Sequence, residues 1–397
     1  MREVVIVKPV RTAIGKFGGA LTPVPAVELG SVVIRETLGR AGVRAEDVDE
    51  VILGNVLQAG LGSNTARQAA LGAGLPVTAP AYTVNKVCAS GMKAVTLGAL
   101  AVAAGESDII VAGGVENMSA APYTFPDLRW GRRLGGAEAV DLIHRDALSD
   151  PFEGCHMGMT AENLAGEFSI SRKEQDEFAV ESQRKAAQAI STGAFEEEIV
   201  TVEVPGRKGD ALLFRVDEFP RAGTTQEILS GLKPAFKSDG SVTAGNSSGI
   251  NDGAAAMVLM SAEAAEARGI KPAARIISYA SAALEPMRMG MGPVPATRKA
   301  LRRAGLTIAD IDVVELNEAF AAQSIAVIKE LGLDTSKLNL KGGAIALGHP
   351  VGATGARIVV TLLHIMAQHG LRLGLATLCI GGGQGMALIV ENLCRPK

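Results

Sequence analysis

The stretch Arg35–Gly54 reads R-E-T-L-G-R-A-G-V-R-A-E-D-V-D-E-V-I-L-G, and a diverged copy, R-K-A-L-R-R-A-G-L-T-I-A-D-I-D-V-V-E-L-N, returns at Arg298–Asn317. In each copy an apolar helical pattern ends at a glycine, and a short turn leads into an apolar strand. Similar segments of this kind indicate an internal duplication. The sequence therefore predicts two similar α/β halves. The identical pairs are Arg35/Arg298, Leu38/Leu301, Arg40/Arg303, Ala41/Ala304, Gly42/Gly305, Asp47/Asp310, Asp49/Asp312, Val51/Val314 and Leu53/Leu316.

A second pair of segments supports the duplication. Cys88 opens the apolar stretch C-A-S-G-M-K-A-V-T-L-G-A-L-A-V-A-A-G, and His349 precedes another, G-A-T-G-A-R-I-V-V-T-L-L-H-I-M-A-Q-H-G. A helix at a protein surface shows a polar stripe, and both segments are apolar around most of their circumference. We therefore expect two buried central helices. Each has a chemically capable residue near its N-terminal end, where backbone N–H groups lack helical partners.

The residues between the two halves differ from them in character. Residues 121–250 are more charged and richer in turns, which predicts a loop domain inserted into the first half. The apolar strand pattern from Gly253 is expected to return to the first half, and Lys271-Pro272 marks the boundary to the second. The predicted domains are residues 1–120 completed by 251–271, the inserted domain 121–250, and residues 272–397.

The composition indicates a globular protein with a large core. Apolar residues make up 47% of the 397 residues, charged residues make up 20%, and the formal net charge is −3. A nucleic-acid-binding protein usually carries a strongly basic face, so this class is disfavoured. Cys88, Cys155, Cys379 and Cys394 match neither a disulfide framework nor a zinc pattern. Free thiols favour a reducing compartment, and the sequence suggests neither a signal segment nor a membrane span, so a cytoplasmic location is expected.

Cys88 lies in N-K-V-C-A-S-G-M-K-A, between a strand-like segment and the first predicted central helix. A thiolate is a strong nucleophile, and a helix N-terminus lowers the pKa of a thiol. The glycine that follows favours a tight strand-to-helix turn, similar to a nucleophile elbow. A free cysteine is also often a small buried apolar residue, so this segment alone leaves that alternative open.

Two further glycine-rich turns carry a histidine and a second thiol. His349, in G-G-A-I-A-L-G-H-P-V-G-A-T-G, is a candidate base or oxyanion donor, because the glycines let a ligand approach the imidazole. Cys379, in C-I-G-G-G-Q-G, is a candidate for proton transfer. Gly381 belongs to a glycine run whose N–H groups suit an oxyanion hole. A loop histidine bonded to local carbonyls and a buried structural cysteine are the alternatives.

Asn317 ends the second copy of the repeat strand. Open α/β sheets bind ligands at the carboxyl ends of their strands, and an amide there could hold a water or a carbonyl. A helix cap is the alternative role of this residue. The candidate cysteines and histidine are scattered singly over the chain, without the paired spacing of metal ligands, so no metal site is expected.

At these residues the chain resembles the thiolase family, from V-R-T-A-I-G-K-F-G-G-A-L at Val10 to the C-terminus. The second cysteine, in C-I-G-G-G-Q-G, distinguishes thiolases from the related ketoacyl synthases. Ala89 stands where many members have glycine. The other motifs that carry the resemblance are N-K-V-C-A-S-G-M-K-A, A-G-G-V-E-N-M-S, H-M-G-M-T-A-E-N, V-T-A-G-N-S-S-G-I-N-D-G-A-A, N-E-A-F-A-A-Q and G-G-A-I-A-L-G-H-P-V-G-A-T-G-A-R.

The resemblance implies a five-layered α-β-α-β-α core from two similar halves, with an inserted loop domain. It implies an acyltransferase that reversibly condenses two acetyl-CoA molecules to acetoacetyl-CoA. In this role Cys88 carries the acyl group, His349 activates Cys88, and Cys379 exchanges the α-proton. Asn317 would hold a water beside His349 for one oxyanion, and the N–H groups of Cys88 and Gly381 would hold another.

The resemblance also implies acyl-CoA and coenzyme A as substrates, with no tightly bound cofactor. The family is usually tetrameric, as a dimer of dimers, and Tyr123–Gly136 resembles the segment used for that contact. Two other functions stay open, a thiolase for longer 3-ketoacyl chains and a non-catalytic carrier of lipid or coenzyme A. The coenzyme A contacts implied by the resemblance are Leu148, His156, Met157, Arg221, Phe236, Ala244, Ser248, Met289, Ala319 and Phe320.

Overall fold

The computed structural model describes residues 1–206 and 210–394. Strands and helices alternate in the first part of the chain, which contains β1 (Val4–Thr12), β2 (Gly15–Lys16), α1 (Ala26–Ala41), β3 (Glu50–Gly54), α2 (Thr65–Gly72), β4 (Ala81–Val84), α3 (Ser90–Ala104) and β5 (Ile109–Asn117). The middle segment contains β6 (Tyr123–Thr124), β7 (Val140–Asp141), α4 (Met157–Glu167), α5 (Arg172–Ser191), β8 (Ile199–Val200), β9 (Val202–Pro205), β10 (Ala211–Phe214) and α6 (Gln226–Ser230). The remaining elements are β11 (Asn251–Ser261), α7 (Ala262–Ala267), β12 (Ala274–Ala283), α8 (Pro293–Ala304), β13 (Val313–Leu316), α9 (Ala321–Leu331), α10 (Ala344–Leu347), α11 (Val351–His369), β14 (Leu373–Ile380) and β15 (Gln384–Asn392).

The principal strands follow the order β13-β14-β15-β12-β1-β11-β5-β3-β4. Strands β1 and β12 meet only at the pairs Val5–Arg275 and Ile6–Ala274, so this short contact joins one sheet from each half. Strand β11 follows the middle segment in the chain and lies antiparallel between β1 and β5. The chain therefore returns to the sheet of the first half after residue 250.

The two sheets enclose the two central helices. Strand β11 shows the alternation, because Val258 packs toward the outer helix α1 while Met257 faces the cluster that contains α3 and α11. The second sheet packs its other face against α8 and α9. The layers are α1 and α2, the first sheet, α3 and α11, the second sheet, and α8 and α9. This is the predicted five-layered α-β-α-β-α arrangement.

Helices α3 and α11 touch backbone to backbone near their N-terminal ends. A Cβ atom at Gly91 would lie 2.7 Å from the amide nitrogen of Ala356, and one at Gly355 would lie 2.5 Å from that of Met92. By length and composition both helices are apolar enough to cross a membrane, but they are largely buried between the sheets. Their close crossing brings the segments before the two helices together.

The two halves repeat the same contacts. Gly42 and Gly305 end α1 and α8 in the left-handed conformation, with φ of 66° and 67°. The Asp49 carboxylate accepts two N–H groups at the start of β5, at 2.7 and 2.9 Å. The Asp312 carboxylate accepts two N–H groups at the start of β14, both at 2.9 Å. The duplication predicted from the sequence is therefore present in individual hydrogen bonds.

Candidate active site

Cys88 lies on a tight turn between β4 and α3. Val87 has a φ of 47°, which a β-branched residue rarely adopts, so the turn is strained beside the thiol. The Ser90 hydroxyl holds the turn, since it donates to the carbonyl of Val87 at 2.6 Å and accepts the N–H of Lys86 at 2.8 Å. The structure therefore has the predicted strand-to-helix turn, with Cys88 just before the first helical residue.

The Cys88 sulfur is half-buried, and its surroundings disfavour charge. Burial raises the pKa of the Cys88 thiol to about 11, although bonds from the N–H groups of Gly381 and of Cys88 itself favour the thiolate. The sequence suggested a lowered pKa from the helix N-terminus, whereas burial raises the pKa by more than these two bonds lower it. The Gly381 and Cys88 N–H groups converge on one atom, as an oxyanion hole requires.

Cys379 lies fully buried near the end of β14. Burial, and then the charge of a Cys88 thiolate, raise the pKa of Cys379 well above the ordinary thiol range, so the two sulfur atoms are close enough to interact. A Cβ atom at Gly381 would lie 2.8 Å from Cε of Met157, so a larger residue here would displace the end of the Met157 side chain. Cys88, Cys379 and Gly381 therefore face one site.

The loop that carries His349 is held by Asn251. The Asn251 side chain accepts the N–H of His349 at 2.9 Å and donates to the carbonyl of Gly15 at 3.0 Å. Gly348 has a φ of 104°, and a Cβ atom there would lie 2.4 Å from Cγ of Asn251. This contact explains why glycine precedes the histidine.

Thr354, in the first turn of α11, fixes the tautomer of His349. Its hydroxyl donates to the carbonyl of Pro350 at 2.9 Å, so its oxygen must accept the proton on Nδ1 of His349, 2.6 Å away. The Nε2 atom of His349 then carries a lone pair and is able to accept a proton. Burial, and then the positive charge of Arg357, lower the pKa of His349 to about 3, so the imidazole is neutral at pH 7.

Asn317 is fully buried, and its side-chain amide has no hydrogen-bond partner among residues 1–206 and 210–394. Its backbone N–H donates to the carbonyl of Thr377 at 3.0 Å, which places it beside the strand that ends near Cys379. A buried amide left unpaired is costly, so this side chain suits a bound polar group such as a water or a carbonyl. The structure does not pair it as a helix cap.

Most of the expected coenzyme A contacts form one apolar wall beside Cys379. The ring of His156 stacks on Phe236 at 4.5 Å, and Phe236 meets the ring of Phe320 edge-on at 6.1 Å. The His156 Nδ1 atom accepts the N–H of Gly158 at 3.0 Å, so its Nε2 carries the proton. Ser248 joins this wall through a bond from its N–H to the carbonyl of Ala319, at 3.0 Å. The apolar cluster itself contains Met157, Ala161, Val242, Met289, Ala319, Phe320 and Cys379.

Three of the expected contacts lie apart from this wall. Leu148 packs in a neighbouring cluster that includes Cys88 and Val56. Arg221 is exposed, with its guanidinium 5.5 Å from the ring of Phe219, in a separate crevice. Ala244 is exposed and joins no apolar cluster in the described part of the chain. The structure therefore brings together the contacts nearest the thiols and leaves Arg221 at the periphery.

Sequence reasoning missed several residues of the site. Thr354 and Asn251 position His349, and both lie inside motifs that were quoted for other residues. His144 also lies near the site, since its ring lies 5.7 Å from that of His156. A π-helical turn, Ile143–Leu148, carries His144, and such turns often occur at functional sites. The sequence has no signal for this turn. The Thr354 hydroxyl could have been found, because it lies five residues after His349 in the first turn of the predicted helix.

In the described ranges, no group of three or more histidine, cysteine, aspartate or glutamate side chains is arranged to hold a metal ion. The two thiols lie close enough to interact, and Cys379 belongs to an apolar cluster. This is the arrangement of an enzyme that forms a covalent bond through a thiol.

Two α/β halves around paired central helices, with both thiols and the histidine at their junction, define the class of thiolase-fold enzymes. The family model of the thiolase N-terminal domain matches residues 4–263, and the family model of the thiolase C-terminal domain matches residues 270–392. The crystal structure of the Bacillus anthracis acetyl-CoA acetyltransferase superposes with a TM-score of 0.97 at 49% identity, and 99% of each chain is covered.

Curated relatives agree over the full length. The chain is 58% identical to the acetyl-CoA acetyltransferase of Cupriavidus necator over 392 residues, covering 99% of this chain and 100% of the relative. It is 58% identical to the acetyl-CoA acetyltransferase of Escherichia coli over 394 residues, with the same coverage. The chain belongs to the thiolase family.

Proposed function

We propose that this chain is an acyltransferase that reversibly condenses two acetyl-CoA molecules to acetoacetyl-CoA and coenzyme A, through an acetyl group on Cys88. The observation that carries the proposal is the convergence of two thiols and an N–H pair on one buried pocket. The full-length relatives named acetyl-CoA acetyltransferase favour this reaction over a thiolase for longer chains.

In the first step, the Cys88 thiol attacks the thioester carbonyl of one acetyl-CoA. Its proton passes to the free Nε2 of His349 and then to the departing coenzyme A sulfur, so the acetyl group changes sulfur and no net charge is created. The N–H groups of Gly381 and Cys88 hold the oxygen of the tetrahedral intermediate. Because thiol and imidazole are both neutral at pH 7, the proton moves only as the new bond forms.

In the second step, the Cys379 thiol passes its proton to the free Nε2 of His349 and, as a thiolate, takes an α-proton from the second acetyl-CoA. The enolate carbon attacks the acetyl group on Cys88, a carbon–carbon bond forms, and the Cys88 sulfur leaves as a thiolate. The proton held by His349 then passes to the Cys88 thiolate, which restores the starting enzyme with both thiols protonated. While Cys88 is acetylated it cannot ionise, so it carries no charge that would oppose the ionisation of Cys379.

Asn317 and, once it carries the proton of Cys379, His349 would stabilise the enolate. The unpaired Asn317 amide supplies polar atoms in a buried position, and a water held there would donate to the enolate oxygen. One lost oxyanion donor typically costs about 3–4 kcal/mol of transition-state stabilisation. Coenzyme A is a substrate in this scheme, and the wall formed by His156, Phe236 and Phe320 would hold its pantetheine arm.

We further propose a homotetramer in the cytoplasm. Strand β4 lies at the free edge of the first sheet, which suits pairing with a second copy, and the residues around it include the exposed Tyr82. Large exposed apolar side chains in the segment 123–136 would form the contact between dimers, and sedimentation would measure the assembly. These side chains are Tyr123, Phe125, Leu128, Trp130 and Leu134. Four free cysteines suit a reducing compartment.

Mass spectrometry after incubation with acetyl-CoA tests the mechanism. We expect one acetyl group on Cys88, none in the Cys88→Ser variant, and normal acetylation without condensation in Cys379→Ala. Acetylation of Cys379 instead would reverse the assignment of the two thiols. Rates of thiolysis with acetoacetyl-CoA and with a longer 3-ketoacyl-CoA would separate the proposed function from its long-chain alternative.

A further inference from the structure

Glu116 is a buried carboxylate that the mechanism does not use. It lies near the end of β5 and is fully buried. One carboxylate oxygen accepts the side-chain N–H of Asn55 at 2.7 Å and the N–H of Leu57 at 3.1 Å. The other accepts the N–H of Val56 at 3.1 Å and the N–H of Gly352 at 2.8 Å. Every lone-pair position of the carboxylate is therefore used.

These four bonds connect two parts of the active site. Gly352 lies in the first turn of α11, between His349 and the threonine that fixes its tautomer. Val56 and Leu57 belong to the apolar cluster that packs against Cys88. Glu116 is thus bonded at one side to the helix of the imidazole and at the other side to a wall of the thiol pocket.

The backbone around Glu116 is built to keep this contact close. A Cβ atom at Gly352 would lie 2.6 Å from a Glu116 carboxylate oxygen and 2.8 Å from the carbonyl of Val115. A Cβ atom at Gly114 would lie 2.3 Å from the carbonyl of Gly352. Burial raises the pKa of Glu116 to about 7, although its backbone hydrogen bonds lower it, so holding the ionised carboxylate here has a cost. A buried charge with complete hydrogen bonding suits a role in geometry more than in stability.

We propose that Glu116 is a positioning residue that holds the N-terminal turn of α11 against the 55–57 segment, and thereby sets the distance between the His349 imidazole and the Cys88 thiol. The proposal rests on the proposed function, because it assumes that the two groups exchange a proton. It assigns no contact between Glu116 and the substrate.

The test uses Glu116→Gln at pH 8, where the native carboxylate is ionised. Glutamine keeps the shape of the side chain, but its NH2 group takes the place of an oxygen that accepts N–H groups. The hydrogen bonds on that side of Glu116 are therefore lost. We expect the rate of Cys88 acetylation and kcat to fall about 100-fold, the size expected for a misplacement of about 1 Å. KM for acetyl-CoA should change by less than about twofold, because no substrate contact is lost.

Asp312→Asn is the matched control. Its carboxylate also accepts two backbone N–H groups, but at the opposite edge of the sheet from the thiols. This variant should lose stability and keep the wild-type kcat. A Glu116→Gln enzyme with kcat within about twofold of wild type at equal folded fraction would overturn the proposal, as would a parallel rise in KM.

Glu116→Asp keeps the charge and is one carbon shorter, so it cannot bond to both Gly352 and the 55–57 segment. We expect it to fold and to show the same loss in kcat, and wild-type activity would overturn the proposal. If both Glu116 variants fail to fold while Asp312→Asn folds, the role is structural and the proposal is wrong. If the wild-type protein itself is not acetylated at Cys88, the proposed function fails first, which the mass measurement shows separately.

Discussion

Replacing Thr354 by valine should slow the first chemical step without disturbing the shape of the site. Valine has nearly the volume of threonine, so the packing of the first turn of α11 is kept. The change removes the oxygen that accepts the Nδ1 proton of His349 at 2.6 Å. Both residues are buried, so water has little access to replace that acceptor. The imidazole is then free to move its proton to Nε2, where it can no longer accept one from Cys88.

The size of the effect follows from the lost hydrogen bond. In the variant, the Nδ1–H tautomer leaves a buried donor without its acceptor, which costs about 1–3 kcal/mol and favours the Nε2–H tautomer by that amount. At about 1.4 kcal/mol per factor of ten, the population with a free Nε2 falls about 5- to 150-fold. The rate of Cys88 acetylation should fall by the same factor, because only that tautomer removes the thiol proton.

The assay is rapid quenching of enzyme mixed with acetyl-CoA, followed by measurement of the acetylated fraction by mass spectrometry. Thr354→Ser restores the hydroxyl and serves as the matched control, and it should acetylate at close to the wild-type rate. An unchanged rate in Thr354→Val would refute the argument that Thr354 sets the tautomer. Equal slowing in the serine variant would show that the lost methyl group, and not the hydroxyl, matters.

Three further outcomes follow from buried groups. Alkylation of Cys88 by iodoacetamide should speed up about tenfold per pH unit from pH 7 to 10, because its pKa is about 11, and a plateau near neutral pH would contradict a neutral resting pair. Asn317→Ala should leave Cys88 acetylation intact and slow condensation roughly 100- to 1,000-fold in single-turnover assays, unless the amide is no part of the oxyanion site. Arg11→Met should lower the free energy of unfolding by about 3–5 kcal/mol in urea titrations, since it removes the ion pair of the buried Asp217 carboxylate and leaves Glu198 with Lys341 alone, while the exposed Arg44→Met serves as control. Burial opposes the charge of Glu198, but Arg11 and Lys341 lower its pKa to about 2, so its stabilising effect is present above about pH 4.5 and is lost between pH 4.5 and 2.

The fold was predictable because its signals are local. Gly42 and Gly305 end matching helices, and each needs only the chain around it to take the left-handed conformation. The same holds for the helix that begins after Ser171, whose capping box with Glu174 is visible in the sequence and formed in the structure. A duplicated pattern of such signals predicts two halves, and the apolar central segments predict what lies between them.

The electrostatics of the site could not be predicted in the same way. A helix N-terminus lowers a thiol pKa, but the loss of solvent around Cys88 depends on side chains from distant parts of the chain, and burial is the larger effect. The tautomer of His349 depends on the group to which the Thr354 hydroxyl donates its proton. The part played by Glu116 depends on a glycine from the other half of the chain. Each of these features comes from contacts between residues far apart in sequence.

The two halves differ at the strand ends that carry the active-site residues. At the amino ends of the parallel strands, Asp49 and Asp312 make the same pair of backbone bonds. At the carboxyl ends the copies differ, because Gly54 of the first copy corresponds to Asn317 of the second. Counted from the shared aspartate contacts, Glu116 stands where the second half has Ile380, directly after Cys379. The amino ends of the strands therefore keep the contacts that both halves need to fold. The carboxyl ends of the strands are free to differ. There the first half supplies the Glu116 carboxylate, and the second half supplies the Cys379 thiol and the unpaired Asn317 amide.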